Sequence, residues 1–465
     1  MAIVPHPVTE SPVGTTTVLL ALAFISYAVY QRFFHPLSRY PGPFLACITD
    51  LWQVHQFLTL QQPYNLTRLH AQYGPIVRYG PDKLSITHES AIPAIYQTGG
   101  RKMPKTEFYD AYGSTHPNVF GMRDEAAHAI RRRHMSHSFS LAYVKQMEKY
   151  LDVKLHVLRQ KIRDYSHRNE VFDLKTALHY YVVDTLGELA FSQTFGLQES
   201  NDESRVPPVI EHSLLAAVTG AWPAMTFRLK KWLPHVPHKG LQRLFAGRKA
   251  CADLAARCVS RRLQDLEGKG SSQDADRKDI LTNLILAKHP DTGERLTQTD
   301  LETEAFGFMY AQLRTHTTSA TTTLLFYHLL HNPRFMDKCV EEIDTNLPPL
   351  GPDQPAYSVA AVETALPFLR NCMRENFRIT PVFTMPLARR VLDPSGITIA
   401  NNYIPPGTSV AVVSTLLGEF EFQLAGGSGQ GDTGQGDLPE LISVGISDLK
   451  GPLLVKAHIR RDNVF

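Results

Sequence analysis

Cysteine is scarce. The chain of 465 residues holds five, Cys47, Cys251, Cys258, Cys339 and Cys372. Their odd number and wide spacing argue against a disulfide framework or a zinc ribbon, and for a reducing compartment. An excess of one charge is also missing. Lys and Arg number 48 against 45 Asp and Glu, a net charge of +3 that offers no footprint for nucleic acid. No repeat recurs at a fixed period, and 43% hydrophobic with 20% charged residues is ordinary globular composition. Whole-chain disorder, collagen-like sequence and coiled coil are thereby excluded. Length alone would allow about three domains at roughly 150 residues each, yet no internal boundary stands out.

What is present begins with an apolar run. Thr15–Tyr30 reads TTTVLLALAFISYAVY, and a helix over Thr15–Phe34 would measure about 30 Å, enough to cross a bilayer core. A cleaved signal peptide should carry a basic start, but the residues before Thr15 include Glu10 and no Lys or Arg. Arg32 and Arg39 follow the span, so the positive-inside rule keeps the bulk of the chain cytosolic. The expected organisation is a lumenal segment 1–14, a transmembrane anchor 15–34, a proline-rich hinge 35–44 and a body 45–465. Within the hinge, Pro36, Pro41 and Pro43 stiffen the backbone and keep the anchor helix from running into the body.

Early in the body, Tyr73–Pro81 and Lys83–Thr87 read as two strands of a hairpin bounded by turn signals. From Glu125 onward apolar residues recur at helical spacing. The segments are Glu125–His134, Leu141–His167, Leu174–Phe195, Val209–Val218, Leu241–Leu266 and Arg277–Lys288. The longest helical candidate starts at Thr297-Gln298-Thr299-Asp300, whose side chains can cap free amides, and stops at Asn332-Pro333. Its middle, Thr315–Thr323, is poor helix-forming sequence. The hydroxyls there either satisfy backbone carbonyls or face a polar pocket.

Four motifs then combine. Tyr40-Pro41-Gly42-Pro43 precedes the body. Asp124–Arg133 is a basic helix in which His128 and Arg132, four apart, share a face. Glu375-Asn376-Phe377-Arg378 is an E-x-x-R pair inside Leu366–Pro381, and Met385-Pro386-Leu387-Ala388-Arg389-Arg390-Val391 follows it. An i,i+3 ion pair alone is common, but the helix before it and the M-P-x-x-R-R strand start after it make the combination specific. Together these resemble a fungal microsomal cytochrome P-450, a haem-thiolate monooxygenase.

The resemblance implies a fold that is mainly α with small β-sheets (α+β), in one large domain behind the anchor. It implies that His128, Arg132 and Arg389 contact the haem propionates, with Arg390 able to exchange with Arg389, and that Glu375 and Arg378 form the family's structural pair. Thr317 would be the alcohol beside iron-bound dioxygen, and His316 would replace the usual acid. The implied cofactor is haem, with electrons from NADPH through a partner reductase. The implied substrate is a hydrophobic small molecule of fungal secondary metabolism, and the implied location is the endoplasmic reticulum membrane.

Two departures oppose that activity. The spacer Gln312-Leu313-Arg314-Thr315-His316 is longer than the family's by two residues and lacks its glycine. Two residues rotate a helix by about 200°. The haem-ligand loop F-x-x-G-x-R-x-C-x-G is also absent: no cysteine has glycine two positions later, and none lies beyond Cys372. After Val410–Val413 the chain passes to Thr415–Leu424, which resembles the end of a later helix and a strand, and Lys450–Lys456 resembles the family's final strand. The C-terminal part is therefore expected to be incomplete near 414–415. Cys339 and Cys372 read as small core residues rather than replacement ligands. Gly429–Gly434 matches G-x-G-x-x-G formally but opens no helix, and reads as a surface loop. Three readings follow: a monooxygenase, a non-catalytic membrane-anchored homologue, or a mis-spliced product.

Overall fold

The computed structural model describes residues 12–96, 103–113, 116–229, 231–268, 277, 279–312, 316–351, 354–382, 384–412, 441–443 and 447–457. Contacts divide the chain into two compact units, Met1–Thr106 with Pro386–Val413, and Glu107–Met385 with Ser414–Phe465. Helices predominate, and the sheets are small.

In the first unit, helix α1 (Pro12–Val29) continues into a π-helical turn over Tyr30–Phe34. The span Val13–Phe34 has a mean hydropathy of 1.7, and its most apolar stretch lies unburied. Among the described residues it is the one helix long and apolar enough to cross a membrane. The expected hairpin forms from β1 (Ile76–Gly80) and β2 (Lys83–Ile86), with Ile76 opposite Ile86. Strands β3 (Arg389–Arg390) and β4 (Ser409–Val412) complete a sheet of order β1-β2-β4-β3, in which β2 and β4 run parallel. Leu84, Ile86, Ile404 and Val410 are fully buried around it.

Arg78 explains how the proline-rich segment is held. Strand alternation aims it into the unit, where its guanidinium is fully buried. It donates to Gln31 O and Gln31 Oε1, both at 2.7 Å, and to Pro81 O at 2.6 Å. Gln31 belongs to the turn that ends the apolar helix, and Tyr27 on that helix donates to Ile48 O at 3.1 Å. Pro41 O accepts from Arg78 N at 2.8 Å, and a Cβ on Gly42 would fall 1.9 Å from Arg78 O. Residues 35–44 are thus pinned against β1 rather than strung out as a loose tether.

The second unit is built on helices. Leu174–Phe191, Val209–Ala221, Lys239–Glu267 and Ile280–Leu286 enclose a core in which Val183, Ala190, Val259, Leu281, Ala305 and Met309 are inaccessible to solvent. Leu141–His167 is two helices, Leu141–Gln146 and Glu148–His167, separated at the buried Met147. The helix expected to reach Phe195 ends at Phe191, where Ser192 takes a left-handed φ of 52°. Lys450–Lys456 supplies a strand, Leu454–Lys456, antiparallel to Val171–Asp173 with Val455 opposite Phe172. The surface connection expected over Gly268–Asp276 lies, after Gly268, outside the described residues, as do Thr415–Leu424 and the glycine-rich stretch 426–436.

Candidate functional site

Helix α2 (Glu125–Ser136) carries the basic segment. Asp124 caps it, its Oδ1 accepting from Ala127 N at 2.7 Å. His128 is half-buried and Arg132 exposed, one turn apart. Arg131, between them, turns inward. It bonds Asp300 Oδ1 at 3.1 Å and lies 3.6 Å from Glu304 Oε1.

Both acids stand on helix α3 (Gln298–Gln312), one turn apart. Thr297 and Asp300 cap this helix reciprocally: Asp300 Oδ2 accepts from Thr297 N and Oγ1, and Asp300 N donates to Thr297 Oγ1 at 3.2 Å. Burial works against the Asp300 charge, but hydrogen bonds from Thr297 and Arg131 outweigh it and hold the carboxyl down at about 2. Glu304 is 1% exposed and behaves oppositely. Burial outweighs the attraction of Arg131 and pushes it up to about 7. Its Oε2 accepts from Val119 N at 3.3 Å, while Oε1 has no hydrogen-bond partner.

Helix α4 (His316–Leu330) resumes after residues 313–315, which lie outside the described part, so most of the anomalous spacer does too. His316 is helical, but its side chain also lies outside the described residues. Thr317 is half-buried in the first turn, and Ser319 and Thr323 are buried. Thr322 bonds Thr318 O at 2.8 Å, so this hydroxyl serves the backbone.

Helix α5 (Pro333–Asn346) precedes helix α6 (Pro367–Ile379), which holds the E-x-x-R pair. Arg378 Nε donates to Glu375 Oε2 at 2.8 Å, and Arg378 Nη2 donates to Oε1. The mutual hydrogen bond lowers Glu375 and raises Arg378. The side chains of this pair are 51% and 28% exposed. On the same helix Met373 and Phe377 are exposed as well.

In the first unit, Arg389 and Arg390 occupy different surroundings. Arg390 pairs with Asp82 at 2.6 Å and donates to Gly407 O at 2.7 Å. Arg389 lies over the Tyr96 ring at 5.4 Å and bridges to Lys105 through the backbone. Burial, with Arg389 beside it, pulls the Lys105 ammonium down to about 8.

The family model for cytochrome P450 matches residues 41–420, through both units. The chain is 28% identical to cytochrome P450 monooxygenase gsfF of Penicillium aethiopicum over 85% of its own length and 78% of that protein. It is 27% identical to cytochrome P450 monooxygenase BOT1 of Botryotinia fuckeliana, over 86% of its length and 78% of the relative. To benzoate 4-monooxygenase bphA of Aspergillus niger it is 28% identical, over 88% of its length and 80% of that protein. A mainly helical chain with small sheets and an N-terminal apolar helix is thus the class defined. The chain belongs to the cytochrome P450 family.

The family implies haem, whose iron is held by a cysteine thiolate. The cysteines of this chain do not fit that role. Burial pushes Cys251 up to about 12, Cys258 to about 11 and Cys339 to about 12, and it raises Cys47 and Cys372. None of the five has the ligand motif's glycine two positions later. Cys372 is also not the fully buried core residue expected: it is half-buried, with its Sγ 3.9 Å from that of Cys339.

The sequence sets Arg131 within the basic helix without distinguishing it, and its pairing with Asp300 and Glu304 emerges only in the structure. The i,i+4 acids Asp300 and Glu304, ahead of the apolar run Ala305–Ala311, are the available signal. Nothing in the sequence brought Cys339 and Cys372 together.

Proposed function

We propose that this chain is a membrane-anchored P450 descended from oxygen-dependent monooxygenases of hydrophobic small molecules in fungal secondary metabolism, and that as it stands it is non-catalytic. The observation that carries this reading is the state of its cysteines. None stands in the ligand motif: no cysteine has glycine two positions later, and none lies beyond Cys372. The relatives' names support the ancestral activity. His128, Arg132 and Arg389 remain at the positions the family uses for haem propionates. Thr317 and His316 remain at its oxygen-side positions, and Glu375 and Arg378 keep the structural motif. The unburied apolar helix supports the anchor, and Arg32 and Arg39 after it support a cytosolic body; our reading is an endoplasmic-reticulum membrane, where an NADPH-dependent reductase would meet it. The test is a spectrum of reduced, CO-treated protein purified after expression with haem supplied. No Soret band of thiolate-ligated haem is expected; its appearance would overturn the proposal.

A specific observation favours a splicing origin for the loss. Met373 and Phe377, one turn apart on α6, are 43% and 54% exposed beside the exposed E-x-x-R pair. Transcript sequencing decides: an in-frame F-x-x-G-x-R-x-C-x-G between the codons for Ser414 and Thr415 would restore the enzyme, and its absence supports a pseudoenzyme.

A further inference from the structure

We propose that Cys339 and Cys372 form a redox-modification site, in which a hydroperoxide converts the two thiols into a disulfide that staples α5 to α6. The sulfurs already lie 3.9 Å apart, in van der Waals contact. Closing to the bonded distance of about 2.05 Å is within reach of side-chain rotation when the helices stay in place.

The two helices are held in place independently of the sulfurs. Glu342 on α5 accepts from Phe368 N at 2.7 Å and Leu369 N at 2.9 Å, so its carboxylate covers the first amides of α6. Asn346 at the end of α5 donates to Ala365 O at 3.0 Å, just before α6 begins. The rings of Phe335 and Phe368 stack across the same interface with centroids 6.4 Å apart. The thiols therefore sit inside a pre-formed contact.

The two cysteines have unequal roles. Cys339 is 3% exposed, and burial together with its neighbour pushes it up to about 12. Cys372 is half-buried, and its hydrogen bond with Cys339 opposes the rise that burial causes. Cys372 is thus the thiol that meets the oxidant. Its sulfur attacks one peroxide oxygen, the O–O bond breaks, and Cys372 becomes a sulfenic acid as one water (from hydrogen peroxide) leaves. Cys339 then attacks the Cys372 sulfur, the S–O bond breaks, and the thiol proton leaves with the hydroxyl as a second water. Two thiols are oxidised by two electrons and one hydroperoxide is reduced. In a reducing cytosol such a bond is transient and serves sensing rather than permanent stability. Cys372 lies one turn before Glu375, so the staple would fix the helix that carries the E-x-x-R pair.

The full chain in detergent is titrated with hydrogen peroxide, alkylated, digested without reductant and mapped by mass spectrometry. A linked peptide pair containing Cys339 and Cys372, two hydrogens lighter than its parts and released by dithiothreitol, is expected. Cys251 and Cys258 should still alkylate after denaturation. Recovery of Cys372 as a free thiol, as a sulfinic acid without a link, or joined to a second chain would overturn the assignment. In Cys339→Ser, dimedone should trap a sulfenic acid at Cys372 that the unaltered chain does not retain. Equal trapping in both chains would also overturn it, and the wild-type map stands even if the variant folds poorly.

Discussion

Replacing Glu304 by glutamine should stabilise the protein above neutral pH and leave it unchanged in acid. The side chain is 1% exposed, one of its oxygens lacks a hydrogen bond, and burial lifts it from the usual 4.5 to about 7. Below the unfolded value both states hold the proton, and the carboxyl contributes no pH dependence. As pH rises from 4.5 to about 7 the unfolded chain releases the proton while the folded chain keeps it, so stability falls. Above about 7 the whole difference is lost; roughly 2.5 units at about 1.4 kcal/mol each is about 3 kcal/mol. Spread over a chain of this length, that is a melting-point difference of about 3 °C. Glutamine preserves the shape and an acceptor for Val119 N, and Arg131 keeps Asp300 as its partner at 3.1 Å. Scanning calorimetry of both proteins in the same detergent, from about pH 4 to about pH 8, reads the effect directly. The two melting curves should coincide in acid and separate as pH rises. A constant offset at every pH, or a glutamine variant less stable at high pH, would refute the argument that an ionised Glu304 destabilises the fold.

Two further substitutions separate exposed from buried ion pairs. Arg378→Ala should cost only about 0.2–1 kcal/mol in denaturant unfolding, because its bidentate partner Glu375 is 51% exposed; a loss of several kcal/mol would mean that the pair anchors a buried network. Arg262→Ala should cost about 3–5 kcal/mol, because it strands Asp279, which is fully buried 3.0 Å from the guanidinium. Adding Asp279→Asn, which keeps the acceptor for Thr282 N, should recover much of that loss.

Local signals carried most of the helical fold. Apolar spacing located the helices of the second unit, and the Thr297–Asp300 cap marked the start of α3 to the residue. Helix ends set by tertiary contacts were harder. Ser192 ends its helix in a left-handed conformation with Gln193 N bonded to Gly187 O, and serine does not announce that role as glycine would. Arg78 shows the same limit in a strand. A basic residue in a short hairpin reads as solvent-facing, whereas its partners are chiefly main-chain carbonyls and Gln31, which have no sequence signature. The candidate site divides likewise. Motif spacing singles out His128, Arg132 and the E-x-x-R pair, whereas the pairing of Arg131 with Asp300 and of Arg390 with Asp82 emerges only from three-dimensional packing.

The choice between an old pseudoenzyme and a recent excision turns on surface physics. A chain long adapted to lack a covering segment would gain solubility by exchanging exposed apolar residues on the uncovered face for polar ones. On α6 the opposite holds: Met373 and Phe377 share a helical face, while Arg374, Glu375 and Arg378 beside them are ordinary surface residues. At about 25 cal/mol per Å² of apolar surface, covering a phenylalanine and a methionine that are half-exposed stabilises a fold by about 2–3 kcal/mol in all. That gain is forfeited in the present chain. The same face should therefore add to the hydrophobic-dye binding of the unaltered protein, and Met373→Gln with Phe377→Gln should reduce that binding while raising solubility and leaving the far-UV circular dichroism unchanged. Dye binding equal in the two proteins would remove the structural ground for preferring excision.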